Sequence, residues 1–136
     1  MKLTRASNYA VQAVVAMAAQ EDGLPVAAHL TAQEEGIPDR FLLKILLPLV
    51  SKGVLYSRKG PGGGYHLAKP ASKITLLEIV EAVDGPLRGE VPALGGKGTD
   101  TLDNRLTKIC QQVTNQTRNQ LSKVTVAALA GKARKK

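Results

Sequence analysis

The sequence predicts a mainly α-helical protein with one small β-hairpin. Apolar residues recur at intervals of three and four along several segments, which is the spacing of a buried helix face. Two short runs of strand-forming residues flank a glycine-rich turn near the middle of the chain. A polar segment over residues 100–122 carries one narrow apolar stripe, which is typical of a long helix that packs against another helix.

The first helix is predicted over residues 4–20. Either Thr4 or Ser7 can cap its start, and Gly23 and Pro25 break the chain after it. Its predicted buried face consists of Ala6, Tyr9, Ala10, Ala13, Val14 and Met17.

Two further helices are predicted next, separated by a tight turn. The second covers about 26–35 and ends at Gly36, and the third begins with Pro38 in its first turn and runs to about Ser51. Pro48 lacks a backbone donor, so we expect it to kink or fray the last turn and shorten the third helix. The apolar residues predicted to be buried by the third helix are Phe41, Leu42, Ile45, Leu46 and Leu49.

The hairpin follows at once. Residues 54–57 are predicted as one strand and 64–68 as its antiparallel partner. The turn between them, 58–63, is rich in glycine and carries the cations Arg58 and Lys59.

The C-terminal half begins with a capping box at Thr75 and Glu78, which predicts a fourth helix through Val83. A glycine-rich loop over 86–100 precedes the long helix, and Thr125 caps a short last helix before a charged tail. The long helix carries a narrow apolar stripe that suits the packing of two helices against each other. It consists of Leu102, Leu106, Ile109, Val113 and Leu121.

Charge is concentrated in two basic blocks. The net charge is +8, and residues 38–73 carry seven basic side chains against Asp39 alone. The second basic block covers 97–136, and the acidic stretch 74–96 lies between them. Such an excess indicates a polyanionic partner, with nucleic acid or an acidic membrane surface as the candidates. A solvated surface explains a charge block equally well before motifs are considered.

The composition excludes several classes of protein. One cysteine cannot form an internal disulfide or supply a cysteine cluster for zinc or iron–sulfur, and it suits a reducing cytoplasm, where we expect the protein. No signal peptide is apparent, and the most apolar run, 41–50, is too short to span a membrane.

The second and third helices form a helix-turn-helix, with Ala32 and Gly36 where the two helices must approach and turn. A hairpin immediately downstream makes this a winged helix-turn-helix, whose third helix enters the major groove of DNA. The basic block falls on these elements, with Arg40 and Lys44 on the helix and Arg58 and Lys59 at the wing. The sequence therefore predicts a winged-helix DNA-binding domain over 1–85, followed by the loop 86–100 and by the long helix, short last helix and basic tail of 101–136.

Two motifs resemble those of a known family. The opening stretch 4–10 (TRASNYA) and the wing sequence 60–68 (GPGGGYHLA), followed by Ile74-Thr75 and the helix 79–84, resemble the Rrf2 family of winged-helix regulators. That family includes the iron–sulfur cluster regulator and the cysteine-metabolism repressor, and the resemblance extends from residue 2 to about 130.

The resemblance implies a homodimer, in which 101–136 is the dimerisation region and the apolar stripe of the long helix is the dimer interface. It also implies that the dimer binds a pseudo-palindromic operator on double-stranded DNA and usually represses transcription. It places 38–44 in the major groove, the wing on the DNA, and the N-terminus near the phosphate backbone. The predicted DNA-binding residues are Lys2, Thr4, Arg5, Pro38, Asp39, Arg40, Lys44, Arg58, Lys59, Gly60, Gly62, Gly63 and Tyr65.

Three departures from the family pattern matter. The loop 87–103 has no cysteine, whereas the cluster-binding members hold their cluster on three cysteines there, so we expect no cluster and no other cofactor or metal. Leu43 stands where an acidic residue often lies and cannot accept from cytosine, so the operator of those members is not expected here. Pro48 replaces a polar residue.

The sequence gives less support to other functions. No Ser–His–Asp or Cys–His arrangement is apparent, so the chain is not predicted to be an enzyme. A protein- or RNA-interaction module remains an alternative, although four aromatic residues offer few platforms for stacking single-stranded RNA. A thiol redox sensor that uses Cys110 is another, although a cysteine within a helix usually packs as a small apolar residue.

Overall fold

The structure is a computed structural model that describes residues 1–20, 23–89, 91–93, 95–98 and 100–134, without the side chains of 132–134. Its elements in chain order are α1 (Arg5–Ala18), α2 (Ala28–Glu35), α3 (Asp39–Ser51), β1 (Leu55–Arg58), β2 (Gly64–Leu67), α4 (Leu76–Asp84), α5 (Asp100–Ser122) and α6 (Val126–Arg134). This order confirms the mainly α-helical fold with one hairpin. The charged side chains predicted for the C-terminal tail lie outside the described residues.

Helix α1 lies at the centre of the core. Ala10, Ala13, Val14 and Met17 are buried, and Tyr9 packs against them, as the apolar spacing predicts. The Thr4 side chain accepts a hydrogen bond from the Ser7 N–H at 3.0 Å, so Thr4 is the cap of this helix. The core then continues through α3, the hairpin, α4 and the first residue of α6.

The turn between α2 and α3 has the geometry that a helix-turn-helix requires. Gly36 ends α2 in the left-handed region with φ 68°, and its N–H donates to the Ala32 carbonyl. Helix α3 begins directly after Pro38 and buries Leu42, Ile45, Leu46 and Leu49 as predicted. Phe41 is half-buried and meets the Tyr9 ring edge-on, with the ring centroids 5.1 Å apart.

The prediction that Pro48 shortens α3 is wrong. The helix continues to Ser51, and the Lys52 N–H donates to the Pro48 carbonyl at 2.9 Å. The proline removes only the bond to the Lys44 carbonyl. Burial of Leu49, together with a 2.9 Å hydrogen bond from the Val54 N–H to the Leu49 carbonyl, holds the last turn in place.

The hairpin pairs Leu55 with Leu67 and Arg58 with Gly64 in antiparallel register. Strand β1 begins at Leu55, one residue later than predicted. The Val54 N–H is bonded to the end of α3, whereas its carbonyl accepts a hydrogen bond from the Ala68 N–H of the hairpin at 3.0 Å. A third segment joins the hairpin, since Val26 and Tyr65 exchange two backbone hydrogen bonds of 2.9 Å.

The C-terminal part closes against the start of α4. Thr75 and Glu78 form the predicted capping box, and Thr125 accepts a hydrogen bond from the Ala128 N–H at the start of α6. The chain after α5 returns to pair with this region through a bridge between Thr75 and Thr125. Helices long and apolar enough to cross a bilayer are absent from the described ranges.

Candidate nucleic-acid interface

The four cations predicted on the helix-turn-helix and the wing all project into solvent. Arg40 and Lys44 are exposed on α3, and Arg58 and Lys59 are exposed at the end of β1 and the turn that follows. Within the described part of the chain, none of the four pairs with a carboxylate. Their charge is therefore available to an external anion.

Helix α3 separates its two faces cleanly. Leu42, Ile45 and Leu46 point into the core, whereas Arg40 and Lys44 lie on the exposed side. Pro38 and Asp39, which were also predicted to contact DNA, are exposed at the start of the helix. The exposed side also carries Leu43 and Leu47.

The glycines at the wing shape its turn. Gly60 and Gly62 adopt φ of 92° and 74°, a region that favours glycine. A Cβ at Gly63 would lie 2.2 Å from the Arg58 carbonyl oxygen, and one at Gly64 would lie 2.3 Å from the Val26 carbonyl oxygen. The glycine run is thus needed for a turn narrow enough to project two cations and for the close approach of Val26.

Tyr65 has a structural position as well as a place in the predicted site. Its side chain is half-buried and packs against the core, and its backbone holds Val26 to the hairpin. Val26 was predicted to lie in the second helix, but α2 begins at Ala28 and Val26 pairs with the hairpin. A single paired residue before a helix leaves no strand pattern to recognise.

The predicted N-terminal residues Lys2, Thr4 and Arg5 are exposed around the start of α1. The Thr4 hydroxyl is also 2.9 Å from both carboxylate oxygens of Asp84, and the buried Ser7 hydroxyl donates to Asp84 at 2.6 Å. Asp84 thereby fastens the start of α1 to the end of α4. It was not predicted, because no local pattern links residues 80 positions apart.

The predicted dimer stripe on α5 is largely uncovered. Leu102, Ile109 and Val113 are 50%, 54% and 56% exposed, and Leu106 is half-buried. Leu121 differs, because it is half-buried and lies about 80° around the helix from Val113. An apolar row of this kind on one side of a 23-residue helix suits a second helix.

The other side of α5 holds the start of the glycine-rich loop. Glu81 of α4 accepts from the Leu87 N–H at 2.7 Å and pairs with Arg118 of α5. The backbone of α5 lies so close to Gly89 that an added Cβ would come within 2.5 Å of Cys110. A polar cavity of about 440 Å³ lies between loop and helix, lined by Leu87, Arg88, Gly89, Gln111, Thr114 and Asn115.

Cys110 is half-buried in α5 and has no second cysteine to join it, because the chain contains one. The described residues contain no group of three His, Cys, Asp or Glu side chains placed to hold a metal ion. This donor set does not match a cluster held by three cysteines.

A helix-turn-helix followed by a β-hairpin, with a long helix at the C-terminus, defines a winged-helix protein of the DNA-binding regulator class. The family model for Rrf2, described as an iron-dependent transcriptional regulator, matches residues 3–132. The chain belongs to the Rrf2 family, as the sequence motifs indicated.

Curated relatives agree with this assignment. A protein of Mycobacterium tuberculosis named "Putative HTH-type transcriptional regulator Rv1287" is 31% identical over 140 residues, spanning 98% of this chain and 83% of the relative. The HTH-type transcriptional regulator IscR of Escherichia coli is 37% identical over 84 residues, spanning 62% of this chain and 52% of IscR. These relatives are regulators of transcription and not enzymes, which confirms that prediction.

Solved structures show the same fold. CymR, the global cysteine regulator of B. subtilis, superposes with a TM-score of 0.76 at 20% identity, covering 100% of this chain and 99% of CymR. The IscR structure from T. potens gives a TM-score of 0.74 at 22% identity, covering 100% of this chain and 93% of that one. The winged-helix architecture with its long C-terminal helix is thereby confirmed.

Proposed function

We propose that this Rrf2-family regulator acts as a homodimer that binds a specific pseudo-palindromic operator in double-stranded DNA and represses transcription. The observation that carries the proposal is the set of exposed cations on α3 and on the adjoining wing, which have no acidic partner among the described residues. Because its proposed target is chromosomal DNA, we place the protein in the cytoplasm. Binding to this target needs no membrane partner.

The two basic elements have different tasks on the duplex. Helix α3 enters the major groove, where Arg40 and Lys44 reach phosphates or base edges from its exposed side. Arg58 and Lys59 at the wing, with Lys2 and Arg5 at the N-terminus, neutralise phosphates on either side. Phosphate contacts then supply much of the affinity, and α3 supplies the specificity.

The exposed stripe of α5 supports the dimer. Packing Leu102, Ile109 and Val113 against the same residues of a second copy removes apolar surface from water, which favours association. A two-fold axis between the copies presents two α3 helices to the two halves of a palindrome.

The regulator is further proposed to work without an iron–sulfur cluster. Such clusters are held by several thiolates, whereas this chain has Cys110 alone and the described part of the loop 86–98 contains none. No step of the proposed function therefore depends on iron.

The experiment is a salt titration of operator binding for the parent protein and for the variants Arg40→Ala and Arg58→Ala. The logarithm of affinity falls with the logarithm of salt concentration by about 0.9 for each phosphate neutralised. Because a dimer carries two copies of each residue, we expect each variant that loses a phosphate contact to show a slope shallower by about 2.

Lys108→Ala is the matched control, because Lys108 is equally exposed but lies on α5. Its slope should equal that of the parent protein. Unchanged slopes and affinities for both Arg40→Ala and Arg58→Ala would show that the proposed interface is wrong. Equal binding to a duplex RNA of the same sequence would favour the RNA-binding alternative.

A further inference from the structure

Two leucines on α3 remain in solvent although the helix buries three others. Leu43 is 52% exposed and Leu47 is 74% exposed. Single exposed leucines are common on protein surfaces. These two lie one turn apart on the side of α3 that also carries Arg40 and Lys44, so they form a short apolar ridge. The two cations lie beside the ridge, and the carboxylate of Asp39 lies one turn before Leu43. We call Leu43 and Leu47 the leucine ridge.

The dimensions of the leucine ridge match those of a duplex. Four residues of α-helix advance about 6 Å along the helix axis. Base pairs in DNA are about 3.4 Å apart. When α3 lies along the major groove, the two side chains are therefore separated by about two base-pair steps.

The chemistry of the ridge selects one feature of the major groove. A leucine side chain has no hydrogen-bond donor or acceptor, so it cannot recognise the polar edges of guanine, adenine or cytosine. The apolar group that a base presents there is the C5-methyl of thymine. The flanking cations hold the ridge against the phosphate-lined groove, which is their electrostatic complement.

We propose that Leu43 and Leu47 contact thymine methyl groups and thereby require A·T pairs at two operator positions about two base-pair steps apart in each half-site. This inference rests on the proposed function, since it needs α3 in the major groove. It adds the base preference that the groove placement alone does not supply.

The test begins with duplexes selected from a random pool by the parent protein. Each thymine of the selected operator is then replaced by deoxyuridine, which lacks only the methyl group. Losing the burial of one methyl group should weaken binding about fourfold. We expect this loss at two positions in each half-site and none elsewhere in the operator.

The variants Leu43→Ala and Leu47→Ala show which leucine contacts which of the two thymine positions. Each should bind the thymine operator more weakly and should lose its sensitivity to deoxyuridine at one position only. Leu129→Ala is the matched control, because Leu129 is an exposed leucine (36%) on α6, and its pattern should equal the parent's. Thermal unfolding of each variant checks that the fold is retained.

The outcomes separate this inference from the proposed function. Selective binding of a duplex with no effect of deoxyuridine at any position overturns the leucine ridge and leaves the regulator intact. An alanine variant that weakens binding to the thymine and deoxyuridine operators equally also overturns it. Failure to select any duplex overturns both.

Discussion

Asp84 shows how one side chain can join distant parts of the DNA-binding region. Its carboxylate lies at the start of α1, where the positive end of the helix dipole favours an anion, and it accepts hydrogen bonds from Thr4 and Ser7. Ser7 is completely buried, so its hydroxyl depends on this partner. The same contact fixes the start of α1, where the exposed Arg5 lies, against the end of α4.

We expect Asp84→Ala to lower the free energy of unfolding by about 2 kcal/mol, because a buried hydroxyl loses its charged partner. Urea unfolding measures this change. Glu34→Ala is a suitable control, since Glu34 is an exposed acidic residue of α2, and it should change the free energy by less than about 0.5 kcal/mol. Equal effects in the two variants would contradict the assignment.

Hydrogen bonds between residues that are close in the sequence could be predicted, and those between residues that are far apart in the sequence could not. The helix caps at Thr4, Thr75 and Thr125 were predictable, because each side chain accepts a hydrogen bond from the N–H three residues further along the chain. The Asp84 contact needs the packing of α1 against α4, which no short motif encodes.

The shape of the wing depends on how closely the backbone segments of its turn approach each other, more than on the packing of side chains. Its turn closes with a 2.9 Å hydrogen bond from the Gly63 N–H to the Gly60 carbonyl, in a space that admits no Cβ at Gly63. The sequence predicted the hairpin and its cations correctly. Strand β1 was predicted to start one residue too early, at Val54, which belongs to two elements: its N–H bonds to Leu49 of α3 and its carbonyl accepts from Ala68 of the hairpin.

Gly63→Ala should widen the turn and displace Arg58 and Lys59, so we expect operator affinity to fall at least about tenfold, as for the loss of a charged contact. The helical circular dichroism should be unchanged, since the helices do not depend on this turn. Gly95→Ala provides the control, because an added Cβ there meets nothing within 4 Å. A Gly63 variant with full affinity would show that the shape of the wing is unimportant.

Helix α3 contains a proline, Pro48, whose effect on the helix could not be predicted from that residue alone. Pro48 was expected to kink or fray its last turn, yet the helix continues to Ser51, because Leu49 is buried and its carbonyl is bonded to the Val54 N–H. Tertiary packing here outweighs the loss of one backbone hydrogen bond. The exposed side of the helix was predicted more fully, since charge and spacing already placed Arg40 and Lys44 there.

The two sides of α5 have different partners. One side carries the exposed apolar row, and the loop and α4 pack against the other. The two sides are separated by the helical period, with Gln111 about 200° around the axis from Ile109. The long helix and its stripe were predictable from the sequence. The anchoring of the loop by Glu81 and Arg118 was not, because it joins residues 37 positions apart.

Ile109→Glu should convert the proposed dimer into a monomer, because it places two carboxylates in an apolar seam. Sedimentation equilibrium measures the change as a halving of the mass. Gln111→Glu adds the same charge on the opposite side of α5 and should leave the mass unchanged. An Ile109→Glu protein that sediments as the parent does would exclude this seam.

The backbone bridge between Val26 and Tyr65 ties the wing to the segment that leads directly into α2. The wing and the helix-turn-helix are thereby connected at both ends, once through the chain between α3 and β1 and once through this bridge. Two elements fastened in this way have little freedom to swing apart before they meet a ligand. Their conformational entropy is lost when the chain folds and not when it binds. Less of the free energy gained from each contact with the ligand is therefore offset by ordering, and the affinity is higher.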